Sequence, residues 1–215
     1  MRIGVLALQG AFREHVQMLQ RLGVTAVEVR LPADLVDLDG LIIPGGESTT
    51  IGKLATTFGL MEPLRQFAQQ KPVWGTCAGM IFMAREIGRD QPLLGVMNIV
   101  VERNAFGRQV DSFEVELDVP ALSPSANGSQ PEPYPAVFIR APRLVTAQDG
   151  VTVLARLADG TAVAAQEGHW LVTSFHPELT GDPRFHAYFL RMVAAAKEKG
   201  TTAPATVPSG EGRTG

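Results

Sequence analysis

Ile3-Gly4-Val5-Leu6-Ala7-Leu8, closed by Gln9-Gly10, is nearly all apolar and does not alternate, as expected of a strand covered on both faces of a parallel sheet. Phe12, Val16, Leu19 and Leu22 then recur at helical spacing with Arg13, Glu14, Gln17, Gln20 and Arg21 between them, and Gly23 is placed to end that helix. Val24 to Val29 reads as a second strand and Gly40-Leu41-Ile42-Ile43 as a third, short and fully apolar. Strand, helix, strand, loop, strand is the signature of right-handed βαβ units. The expectation is an α/β fold with a mostly parallel central sheet flanked by helices.

After the third strand, Pro44-Gly45-Gly46-Glu47-Ser48-Thr49-Thr50 offers a backbone that can expose amides, with hydroxyls available to cap a helix at Ile51-Gly52-Lys53-Leu54-Ala55. It lacks the Gly-Lys-Ser ending of a nucleotide P-loop. Leu60 to Gln69 reads as a helix with Pro63 in its first turn. Pro72-Val73-Trp74-Gly75-Thr76-Cys77-Ala78-Gly79-Met80 then carries the one cysteine of the chain, and Met80 to Glu86 reads as helix. Small residues on both sides of Cys77 permit a sharp strand-to-helix turn with the side chain at its tip, a nucleophile elbow. The following helix would aim its N-terminal amides at the sulfur and favour the thiolate. The competing reading is a small buried thiol. Two of these loops lie at the carboxyl ends of strands, where open α/β sheets bind ligands.

Beyond Gly88 and Asp90-Gln91-Pro92 the chain turns strand-rich, at Val96 to Glu102, Phe113 to Leu117, Ala136 to Ile139, Val151 to Ala155 and Thr161 to Gln166. This antiparallel half is either a second sheet or an extension of the first. Residues 120–135, rich in Pro, Ser, Asn and Gly, are expected to form a mobile surface loop. Trp170 to Phe175 is the last strand, and a helix from about Pro183 to Lys197 closes a single domain over residues 1–198. Residues 199–215 offer nothing to bury and are expected to be disordered.

Composition bounds the function. The 215 residues suit one domain, and 45% apolar against 19% charged content is that of a globular chain. A net charge of -3 gives no reason to expect a nucleic-acid or anionic-membrane surface, and no apolar run approaches the roughly 18 residues of a membrane helix. One cysteine makes no intramolecular disulfide, which fits the cytoplasm. Four histidines and one cysteine without ligand spacing argue against a metal site.

A cysteine nucleophile needs a base and a group to orient it. Ser174-Phe175-His176-Pro177-Glu178 supplies both at a strand end. In an extended segment, residues two apart share a face, so the Glu178 carboxylate can reach the His176 imidazole, and Pro177 restrains the geometry. The competing reading is a histidine beside a turn. His15 is expected on the polar side of the first helix, His169 in a hairpin turn and His186 within the last helix.

Pro44-Gly45-Gly46-Glu47-Ser48, Gly75-Thr76-Cys77-Ala78-Gly79 and Ser174-Phe175-His176-Pro177-Glu178, in this order, resemble the class I glutamine amidotransferases, whose sheet is flavodoxin-like. Within that class, Leu8 to His15, Glu102 to Gln109 and Phe138-Ile139-Arg140-Ala141-Pro142 are similar to the glutaminase subunits of bacterial pyridoxal phosphate synthase. The resemblance covers residues 1–198; the loop at 123–135 looks longer than usual and the tail has no counterpart. It implies a Cys77, His176, Glu178 triad that hydrolyses L-glutamine, with an oxyanion hole from the backbone of Ala78 and of Gly45 or Gly46. It implies glutamine contacts from Gly46, Glu47, Ser48, Arg103, Ile139 and Arg140, no metal and no cofactor. It also implies a hetero-oligomeric complex with a synthase subunit that receives the ammonia and activates the glutaminase by docking near Gln9 and Gly10. The alternatives are a glutaminase of another pathway, such as histidine or purine synthesis, and a non-catalytic partner-binding module.

Overall fold

The computed structural model describes residues 1–103, 112–122 and 132–201. Its sheet is built from β1 (Arg2–Leu6), β2 (Thr25–Val29), β3 (Gly40–Ile43), β4 (Val73–Thr76), β5 (Ala84–Glu86), β6 (Met97–Glu102), β9 (Arg143–Ala147), β10 (Val151–Arg156), β11 (Ala162–Glu167) and β12 (Trp170–Thr173); β7 (Ser112–Leu117) and β8 (Tyr134–Ile139) lie apart from it. The order β2-β1-β3-β4-β12 is parallel throughout, and β11, β9, β6 and β5 continue it, with β10 on β11. The joins β12-β11, β11-β9 and β9-β6 are antiparallel. β7 and β8 pair antiparallel as a separate two-stranded sheet. The strand-rich half is therefore both an extension of the first sheet and a second small sheet. The expected α/β architecture holds.

Period-two alternation assigns the apolar side chains to two faces. Leu41, Ile43, Val73 and Val172 pack with Ile51, Leu64, Phe67 and Met80 from α2 (Ser48–Thr57), α3 (Met61–Gln70) and α4 (Ala78–Met83). Ile42, Trp74 and Leu171 face the other way, onto Leu19 of α1 (Phe12–Arg21) and Phe185, Phe189 and Val193 of α5 (Arg184–Thr201). Phe138 and Tyr134 of β8 join this second cluster, so the small sheet docks on the α5 side near the end of β12.

Several boundaries differ from the sequence reading. α4 stops at Met83, because Ala84–Glu86 pairs in parallel with β6. β9 was not read from sequence. α5 runs to Thr201, past the expected boundary at 198. Residues 123–131 of the expected mobile loop and 202–215 of the tail lie outside the described residues, as do 104–111. Among the described residues no helix is long and apolar enough to cross a membrane.

Candidate active site

β4 sits between β3 and β12, and all three run parallel, so the segments leaving their carboxyl ends emerge at one edge. Those segments are Pro44–Glu47, Cys77 and His176. Cys77 takes φ +48° and ψ -104°, a backbone that non-glycine residues rarely adopt and that costs roughly 1–3 kcal/mol. The turn is held by the Cys77 N–H donating to Thr173 O at 2.8 Å. The flanking glycines serve close approach: a Cβ on Gly79 would lie 2.0 Å from Ile43 O, and one on Gly75 2.6 Å from the Gly79 carbonyl.

The Gly45-Gly46 loop is clamped against the end of β1. Ala11 N–H donates to Gly45 O at 3.0 Å, and Glu47 N–H to Gln9 Oε1 at 2.7 Å. Gly10, at φ +98°, admits no side chain, since a Cβ there would meet Gly45 O at 1.8 Å. The helix cap is not the expected hydroxyl: the Glu47 carboxylate accepts from Thr49 N, Thr50 N and Thr50 Oγ1. Burial opposes its charge, yet the Thr50 and Thr49 bonds lower its pKa to about 2.

His176 Nδ1 is 2.7 Å from Glu178 Oε1. Their meeting does not use an extended backbone, as read from sequence; Pro177–Leu179 form a 3-10 turn that folds the carboxylate back beneath the ring. The main-chain N–H of His176 donates to Val137 O at 2.8 Å, which ties the His176 backbone to β8. Burial alone would lower the His176 pKa, but the Cys77 sulfur and the Glu178 carboxylate outweigh it and raise it to about 10. Burial works against the Glu178 carboxylate too, and His15 and His176 still hold its pKa well below the usual range.

A cavity of about 290 Å³ opens at this edge. Every residue assigned from sequence to the triad, the oxyanion hole or the glutamine contacts lines it except Gly45, which abuts His176, and Glu178, which lies behind it. Cys77 Sγ is 3.9 Å from Ile139 O across this space. Arg103 is committed to the rim: its guanidinium donates to Glu47 Oε1 (2.8 Å), Gln91 Oε1 (2.9 Å) and Thr49 Oγ1 (3.0 Å). Arg140 has φ +43° and no ion pair among the described residues. A larger cleft, about 520 Å³, lies over β9, β10 and β11. Its lining includes no cysteine and no histidine, and its arginines are engaged, Arg143 by Glu102 and Arg156 by Gly160 O.

His15 does not lie on the polar side of α1. It is fully buried, with Nε2 3.3 Å from Glu178 Oε2 and 3.2 Å from Thr76 Oγ1, and Nδ1 2.9 Å from His186 Nε2. The signal was present, since His15 precedes buried Leu19 by four residues and so shares its helix face. His186 is likewise buried, and burial lowers its pKa well below the usual histidine value.

The fold is that of a glutamine amidotransferase. A crystal structure of a glutamine amidotransferase matches with a TM-score of 0.82 at 50% identity, over 89% of this chain and 98% of that one. The chain belongs to the SNO glutamine amidotransferase family, whose model matches residues 5–195. The pyridoxal 5'-phosphate synthase subunit PdxT of Herpetosiphon aurantiacus is 57% identical over 195 residues, 88% of this chain and 99% of that protein. PdxT of Dehalococcoides mccartyi is 58% identical over 196 residues, 89% of this chain and 97% of that protein.

Proposed function

We propose that this chain is the glutaminase subunit of a pyridoxal 5'-phosphate synthase, working in the cytoplasm. It would hydrolyse L-glutamine to L-glutamate and ammonia and hand the ammonia to a synthase subunit of the PdxS type. The observation that carries the reading is the meeting, in one cavity, of the Cys77 elbow, the His176–Glu178 pair and the Gly45-Gly46 loop. The identity to PdxT proteins over nearly their whole length supports the pathway.

In this mechanism His176 is the imidazolium partner a Cys77 thiolate requires. The thiolate attacks the side-chain amide carbon, and the oxyanion takes hydrogen bonds from the backbone of Ala78 and of Gly45 or Gly46. Collapse breaks the C–N bond, with the His176 proton going to the departing ammonia, and leaves a thioester on Cys77. Neutral His176 then takes a proton from water, whose oxygen attacks the thioester; glutamate leaves and the thiolate–imidazolium pair returns. Glu178 holds the ring throughout. Because the attacking form is the Cys77 thiolate paired with a protonated His176, kcat/KM is expected to fall as pH rises through about 10, and a pH profile of glutamate release at low glutamine checks this.

Gly46, Glu47, Ser48 and Ile139 would present backbone to the substrate, with Arg103 bracing Glu47. Of the two arginines that line the cavity, Arg140 has no partner ion among the described residues and suits the substrate α-carboxylate. Arg140→Ala is expected to raise the KM for glutamine by about 10- to 100-fold, the loss of a charge-assisted hydrogen bond, with a smaller change in kcat. Steady-state kinetics of the variant measure it.

Free ammonia is protonated near neutral pH and thereby loses its nucleophilicity, so direct transfer to a partner delivers it in the reactive form without a large pool of ammonium salt. The clamp of Gln9 and Ala11 on the oxyanion loop gives docking near Gln9-Gly10 a physical route to the catalytic backbone. Glutamate release is expected to rise at least about tenfold when the synthase subunit is added. Full activity of the isolated chain would remove the activation step. Capture of a different synthase from the native host would redirect the pathway.

A further inference from the structure

We infer that His15 and His186 extend the Cys77–His176–Glu178 arrangement into a five-residue chain in which His15 is a positioning residue for Glu178. The inference rests on the glutaminase reading above. Two imidazoles are fully buried here behind the cavity, where a pair of apolar side chains would fill the same space without the cost of burying ring nitrogens.

Their contacts give that burial a purpose. Glu178 uses Oε1 for His176, while Oε2 has no aligned hydrogen bond among the described residues and has His15 Nε2 beside it at 3.3 Å. His15 Nδ1 meets His186 Nε2 at 2.9 Å, and His186 Nδ1 has no partner among the described residues. Burial keeps His186 neutral, so it carries one ring proton. A proton on Nδ1 would be a buried donor with nowhere to go, whereas a bare lone pair there costs less. The proton therefore sits on Nε2 and donates to His15 Nδ1, which leaves the His15 proton on Nε2, facing Glu178 Oε2 and Thr76 Oγ1. Trp74 meets both rings edge-on, at centroid distances of 5.7 Å and 4.9 Å, and restricts their rotation. Glu178 thus has His176 hydrogen-bonded on Oε1 and His15 Nε2 within 3.3 Å of Oε2, and its orientation sets that of His176.

The test uses the full chain with its synthase subunit, and three variants. His15→Ala is expected to lower kcat for glutamine hydrolysis roughly 10- to 100-fold with KM changed less than about threefold. His15→Gln, which restores a donor of similar reach, is expected to recover most of that loss. His186→Phe keeps the ring volume and removes the donor; it is expected to lower kcat about 3- to 10-fold. A second readout does not depend on turnover: the low-field NMR proton on His176 Nδ1, hydrogen-bonded to Glu178, is expected to shift in His15→Ala and His186→Phe and to return towards its wild-type position in His15→Gln. An unmoved resonance with wild-type kcat in His15→Ala would overturn the inference, as would equal losses in Ala and Gln variants that merely track a fall in Tm. If His15→Ala does not fold, His15→Gln against His186→Phe carries the same comparison. An inactive wild type would count against the glutaminase reading alone, since the resonance still decides the positioning role.

Discussion

Cys77→Ala is expected to lower glutamine hydrolysis by at least about four orders of magnitude, because no other group on the cavity wall can form the thioester. Pyridoxal phosphate synthesis by the assembled complex, fed with ammonium salt, is expected to continue. The fold should survive the change: Cys77 is 5% exposed, the substitution removes one sulfur atom, and alanine meets the same φ of +48° with the same Cβ that cysteine does. The two measurements, glutamate release and ammonia-fed synthesis, separate loss of the nucleophile from loss of docking. A thiol-reactive glutamine analogue should label the wild type at Cys77 and leave the variant unmodified. Failure to label Cys77 even with the synthase present would favour a non-catalytic partner-binding module.

The parts of this site that sequence made legible are those whose chemistry is local. The Gly75-x-Cys77-x-Gly79 turn and the Gly45-Gly46 pair announce themselves because backbone geometry permits few residues there, and the apolar, non-alternating runs of β1 and β3 announce a parallel sheet. His176 and Glu178 were legible as a pair, though their geometry was not. A proline after the histidine is compatible with both an extended strand end and the first position of a 3-10 turn, and only packing against β8 chooses.

What escaped depends on contacts distant in sequence. The Arg103–Glu47 clamp joins residues 56 apart, and no local pattern distinguishes an arginine that binds substrate from one that braces a loop. Ala84-Arg85-Glu86 has good helix formers, but pairing with β6 overrides propensity. β9 escaped because Arg143 to Ala147 buries only Leu144 fully, so its alternation is weak. His15 shows the bias of polarity. A histidine amid Arg13, Glu14 and Gln17 reads as solvent-facing until the helix face is counted from Leu19.

The second large effect is expected from a glycine that carries no functional group. In Gly45→Ala the new Cβ would fall 2.3 Å from His176 Cε1, 2.9 Å from its Nδ1 and 3.3 Å from Cys77 Cβ. The imidazole cannot retreat freely, being fixed by Glu178 on one nitrogen and by β8 through its own backbone. Either the ring turns off the carboxylate or the oxyanion loop shifts, and a misplacement of about 1 Å costs on the order of 100-fold in rate. Overpacking of this kind costs about 1–3 kcal/mol, so Tm should fall by only about 2–12 °C. Gly79→Ala is the control for scaffold against site. Its Cβ would lie 2.0 Å from the Ile43 carbonyl, main chain at the end of the interior strand β3 with no side chain to yield. That variant is expected to lose roughly 3 kcal/mol or more and to lose activity together with the fold. Thermal unfolding and glutamate release measured on both variants give the comparison. Wild-type turnover in Gly45→Ala would mean that the loop can withdraw from His176, and the glycine pair would then serve only the clamp on Gln9 and Ala11.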